Sequence, residues 1–151
     1  MKKFPIGLST LEDIVSGYYY VDKTRFVYTM VNQGKYYFLS RPRRFGKSLI
    51  IDTLKQAFLG NQKIFTGLYL EHHWDWTQQY PVIHIGFTSN QQQTAEYRVE
   101  DKIVSLLLSN AETYDLTLRG KSHSEHFSFL IQDLYAKYKK KVVILDRKSV
   151  V

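Results

Sequence analysis

A chain of 151 residues is long enough for one domain with a modest core, and its hydrophobic fraction of 44% is ordinary for a globular protein. Cysteine is absent, which excludes disulfides and thiolate metal sites, and no apolar run approaches the roughly 18 residues needed to cross a bilayer. The net charge of +7, from 21 Lys plus Arg against 14 Asp plus Glu, draws the chain toward polyanions such as nucleotides and nucleic acid.

The basic start, Met1-Lys2-Lys3-Phe4-Pro5, is followed by a short mixed segment and does not read as a signal peptide. No membrane contact is expected, and the location expected is cytoplasmic. Ser9-Thr10-Leu11-Glu12 offers a cap for a short helix ending near Gly17. Tyr18 to Val21 favours an extended segment. Asp22 can cap the next helix, Lys23 to about Asn32, with Phe26, Val27, Met30 and Val31 at core-facing spacing and Gly34 as its stop. Lys35 to Ser40 is expected as a strand, with its aromatics more often core than a stacking platform. A helix then carries Leu49, Ile50, Leu54, Phe58 and Leu59, closed by Gly60-Asn61.

Phe65 to Leu70 reads as a turn with a short strand or helical turn, and His72 to Trp76 as a surface segment with both tryptophans partly packed. Pro81 opens a strand, Val82 to Phe87, whose apolar run suits a central parallel position. Thr94 to about Tyr114 is expected as a long helix, Thr117 to Ser122 as a loop, and Phe127 to Tyr138 as another helix. Val142 to Asp146 is a third strand ending in an acid. Strands alternating with helices argue for a three-layer α/β/α domain with a parallel sheet.

Between the first strand and its helix lies Arg41-Pro42-Arg43-Arg44-Phe45-Gly46-Lys47-Ser48. Strand, tight Gly-Lys-Ser loop and helix form the phosphate cradle of a P-loop nucleotidase, which implies a nucleoside triphosphate with Mg²⁺. Backbone N–H groups of the turn and helix start face phosphate oxygens. Gly46 lets the backbone approach, Lys47 reaches the β- and γ-phosphates, and the Ser48 hydroxyl serves Mg²⁺. Arg43, Arg44 and Phe45 complete the candidate nucleotide-binding set, the two arginines adding positive charge or facing a partner. The first glycine of the usual pattern is replaced by Arg41. The competing reading is a basic surface turn.

Asp146, at the tip of an apolar strand, is placed as the second Mg²⁺ ligand, against the plainer reading of an acid that caps a loop. The next residue is Arg147, which stays protonated and cannot act as a general base, so no catalytic residue is assigned. His123, Glu125 and His126 bring too few ligands for a structural zinc site and read as surface residues. His84 reads as a structural histidine within its strand.

The order Phe4-Pro5-Ile6-Gly7, Tyr19-Tyr20-Val21-Asp22-Lys23-Thr24, Phe38 to Ser48 and Trp74 to Val82 resembles the bacterial AAA-ATPase-like family. The resemblance runs from about residue 4 to residue 146. It implies a P-loop ATPase fold in which Arg41 is the expected residue, Lys47 and Ser48 hold nucleotide, and Asp146 is the Walker B acid. Members often carry a further nuclease-like domain of the PD-(D/E)XK type. Where members continue with Glu-Tyr-Asp, this chain reads Arg147-Lys148-Ser149. It is therefore expected to be a fragment: an amino-terminal segment over residues 1–34 and a partial P-loop core over 35–151 with an incomplete sheet. Expected function is Mg-ATP binding with hydrolysis doubtful; the alternative is a non-catalytic nucleic-acid- or protein-binding module, and unpaired sheet edges favour self-association.

Overall fold

A computed structural model describes residues 3–40, 42, 44–86 and 99–147. The chain divides into two compact units, Met1–Gln79 and Tyr80–Val151. It is an α/β protein with six α-helices and a small parallel sheet of two strands among the described residues. No helix of the described residues is long and apolar enough to cross a membrane.

The first unit holds α1 (Leu11–Gly17), α2 (Thr24–Gln33), α3 (Lys47–Phe58), a 3-10 turn (Gln62–Phe65) and α4 (Tyr69–His73). Leu11, Ile14, Val27, Leu54, Ala57, Phe65 and Leu70 form its buried interior. Such a small core is held in shape by backbone hydrogen bonds to distant carboxylates. Thr10 precedes α1, but its hydroxyl donates to the Asp13 carboxylate instead of capping the helix. The first N–H of α1, on Leu11, goes to Asp52 Oδ2 of α3 at 2.6 Å.

Asp22 serves two helices. Its Oδ1 accepts from the Thr24 N–H at 2.8 Å and the Thr24 hydroxyl at 2.7 Å, which fixes the start of α2. Its Oδ2 accepts from the Tyr69 N–H at 2.6 Å, at the start of α4. The buried Thr24 hydroxyl also accepts from Leu70 N–H at 3.2 Å. Helix starts leave N–H groups without intrahelical partners, so these bonds replace the local caps that α4 lacks.

The stop of α3 follows from Gly60. Its φ of +79° lets Gly60 N–H reach Ala57 O at 3.1 Å and Asn61 N–H reach Gln56 O at 3.1 Å, a Schellman closure. Both tryptophans pack as expected: Trp74 lies edge-on to Phe58 at 5.3 Å, and Trp76 lies against buried Phe65 at 5.0 Å.

Two expectations for this unit fail. Lys35 to Ser40 joins no strand ladder among the described residues, and Tyr36 and Phe38 are each 94% exposed. A strand exists through its partner, and the aromatic, β-prone composition of this segment does not supply one. Tyr37 instead donates its hydroxyl to the Met30 carbonyl near the end of α2. Phe26, placed on the core stripe of α2, is 73% exposed; the buried side of that helix runs through Thr24 and Val27.

The second unit holds β1 (Val82–Gly86), α5 (Val99–Thr113), α6 (His123–Tyr138) and β2 (Val143–Arg147). The strands are parallel, in register from Val82 with Val143 to Gly86 with Arg147. Ile83, Leu107, Ala111, Tyr114, Leu130 and Leu134 are its buried cluster. Phe87, and Thr94 to Arg98 of the expected long helix, lie outside the described residues. Ser122 caps α6 by accepting the Glu125 N–H at 3.3 Å, and Lys139, left-handed at φ +53°, ends it. Arg119 pairs with Asp133 through two nitrogens, which pins the 117–122 loop to α6.

Candidate functional site

The segment expected to bind phosphate leads into the start of α3. Arg44 has φ +67° and Gly46 has φ +75° and ψ 15°, so two left-handed residues bracket Phe45. The chain reverses there, and the helix begins at the next residue, Lys47. Ile50 N–H closes the first helical turn on Gly46 O at 3.0 Å. An atom at the Cβ position of Gly46 would meet no other described residue within 4 Å. Within the protein, glycine is therefore required here by its dihedral and not by crowding.

Lys47 Nζ donates to Pro42 O at 2.9 Å, closing the loop upon itself. Ser48 is half-buried on the first turn, and Phe45, at the loop tip, is 62% exposed. Arg44, Phe45, Gly46, Lys47 and Ser48 thus share one turn. Arg41 and Arg43 lie outside the described residues. The helix behind the loop is anchored by buried Thr53, Leu54 and Ala57 and by the Asp52 bond to α1.

Asp146 lies in the second unit. It is exposed, near the end of β2, in register with Ile85 of β1. Arg147 follows it and pairs with Gly86. The Asp146 carboxylate is a hard oxygen donor of the kind Mg²⁺ prefers.

The histidines do not converge. His126 Nδ1 lies 2.9 Å from Arg119 O, and His73 stacks on Tyr69 at 3.7 Å. Among the described residues no group of three His, Cys, Asp or Glu could hold a metal ion. Among the basic residues between Lys137 and Lys141, Lys137 Nζ donates to Tyr114 O and Lys140 lies 6.0 Å from the Tyr80 ring centre. Those two cations serve packing within their unit.

Sequence reasoning missed the bond from Asp52 to α1 and the second bond of Asp22 to α4. The partners are 41 and 47 residues distant along the chain, and no local spacing signals them.

Comparison with known proteins gives two matches. The model of a family described as predicted AAA-ATPase matches residues 5–146. A protein of Azotobacter chroococcum mcd 1, described as an uncharacterized protein in the vnfD 5′ region, is 42% identical over 146 residues. The aligned stretch covers 95% of this chain and 28% of that relative, so the chain spans little more than a quarter of the relative's length. No solved structure matches.

Proposed function

The chain belongs to the predicted AAA-ATPase family, and from that premise we propose that its loop at Arg43 to Ser48 binds the phosphates of a magnesium nucleotide, ATP, with little turnover. The observation that carries this reading is the turn that delivers Gly46, Lys47 and Ser48 together at the start of the 12-residue helix α3. A helix start directs N–H groups and the positive end of the dipole at an anion.

The residues fit the ligand. Lys47 already folds its ammonium over the loop toward Pro42 O. Exchanging that neutral carbonyl for an anionic phosphate oxygen puts a charge on both partners of the hydrogen bond, which favours the exchange. Arg43 and Arg44 add positive charge, and Phe45 forms the wall of the turn. Ser48 is the proposed metal ligand within the loop. Mg²⁺, when bound, supplies charge neutralisation at the phosphate oxygens.

The competing reading is a nucleic-acid- or protein-binding module with an open cationic strip. The engagement of Lys137 and Lys140 within their own unit supports the nucleotide reading over that one. Self-association through the outer edge of β2 is compatible with either.

Titration of the chain and of Lys47→Ala with Mg-ATP tests the proposal. Loss of the ammonium is expected to weaken binding by roughly 1.5–3 kcal/mol, the range for a hydrogen bond to a charged group. Unchanged affinity in a folded variant would remove the loop as the binding site.

A further inference from the structure

The two edges of the small sheet are not equivalent. Val143 N–H donates to Pro81 O at 2.9 Å. Alternate residues of a strand direct their backbone groups to opposite edges. Pro81, Ile83 and Ile85 therefore face β2, and Val82 and His84 face outward.

That outward edge is occupied by side chains. Val82 N–H donates to Tyr114 Oη at 2.6 Å, and the same hydroxyl donates to Val82 O at 3.0 Å. His84 N–H donates to Asn110 Oδ1 at 2.9 Å, and Asn110 Nδ2 donates to His84 O at 3.0 Å. The second amide hydrogen of Asn110 goes to Leu106 O at 2.7 Å. A phenol and a primary amide each offer one donor and one acceptor to the strand. Each therefore matches the N–H and C=O pair that a neighbouring strand would otherwise meet. Their spacing of four residues, Asn110 within α5 and Tyr114 just past its end, puts them one helical turn apart, alongside alternate residues of the strand.

We propose that Asn110 and Tyr114 close the outer edge of β1 against strand pairing by a second copy of this chain. An edge strand is a template for a further strand when its polar groups face solvent. Here helix side chains imitate the missing neighbour, so β1 is the end of its sheet and not a central strand. The excluded partner is a second copy because every copy carries the same parallel strands in the same register.

The test uses the full chain, the single variants Asn110→Leu and Tyr114→Phe, and the double variant. Hydrogen exchange is followed at the Val82 and His84 amides, and sedimentation velocity over a concentration series reports the size. In the unsubstituted chain both amides are expected to exchange at least tenfold more slowly than an unprotected amide. In the variants the amide facing the substituted side chain loses that protection at low concentration. The double variant shifts to larger species as concentration rises, and both amides regain protection in the associated form. A folded double variant that sediments as the unsubstituted chain does at every concentration would overturn the proposal. So would association that leaves Val82 and His84 exchanging freely. If the double variant does not fold, the unsubstituted chain still decides: fast exchange at Val82 and His84 refutes closure of the edge.

Discussion

Asp52, in the middle of α3, accepts the backbone N–H of Leu11, the first residue of α1, at 2.6 Å through Oδ2. Gln56 donates to the other oxygen at 3.3 Å. The helix that begins with Lys47 and Ser48 is thereby tied to the start of the chain. Asp52→Ala is expected to destabilise the protein by about 0.5–2 kcal/mol, the range for losing a helix cap. Denaturant unfolding followed by circular dichroism measures it. An unchanged midpoint would mean that water replaces the carboxylate without loss.

The loop conformation gives a paired expectation. Gly46→Ala puts a β-carbon on a residue at φ +75°, and left-handed backbone costs an L-residue about 1–2 kcal/mol. Arg44 already bears that conformation at φ +67°. Arg44→Gly relieves it but adds freedom to the unfolded chain, worth ~0.4–1 kcal/mol in the opposite sense. The first variant should lose stability and the second should change it little. Equal losses in both would show that the side chain of Arg44, not its dihedral, holds the turn.

Helices and the two parallel strands were legible in the residues, and the fate of Lys35 to Ser40 was not. The cap signal at Ser9 to Glu12 and the apolar periods after Leu49, within 99–113 and from Phe127 mark α1, α3, α5 and α6, although α6 begins four residues earlier, at His123. Gly60 marks the end of α3 through its own dihedral. Strand formation at Lys35 to Ser40 depended on a partner elsewhere, and composition carries no information about one. The two-sided use of Asp22 shows the same limit: its bond to Thr24 is two residues away and was foreseeable, and its bond to Tyr69 was not. For the candidate site, the turn itself could be read from Gly46-Lys47-Ser48, and the closure of Lys47 on Pro42 required coordinates.

Tyr114 makes stability depend on pH in the alkaline range. Burial, first, and the nearby Tyr138, less, push its hydroxyl above the ordinary value of 10.0, while its bond to the Val82 backbone opposes this. Phenolate is the charged form, so burial disfavours it in the folded protein. The unfolded chain then loses this proton at lower pH than the folded one. The contribution is full below pH 10.0 and is lost as pH rises from there through the raised folded value. Tyr20, also raised by burial, adds a slope of the same sign. Unfolding free energies of the chain and of Tyr114→Phe, compared from neutral pH into the alkaline range, check it. The difference between them should shrink above that pH; a constant difference would show that the hydroxyl does not titrate differently on folding.

Phosphate release from ATP is expected to be negligible. Even with Asp146 in its expected role as a metal ligand, alignment and deprotonation of an attacking water need a further base. The residue beside it is Arg147, whose guanidinium attracts phosphate and accepts no proton. Loss of a positioned base typically lowers a rate ~10²–10⁴-fold. Binding and turnover are thus expected to separate in this chain: Lys47 is expected to govern the first, and Arg147 cannot serve the second as a base. A phosphate-release assay, with Lys47→Ala as background, decides the point. Turnover near ~1 s⁻¹, within the common enzyme range, that disappears in the variant would contradict the expectation. It would require another carboxylate, from this chain or a second copy, to stand where Arg147 cannot serve.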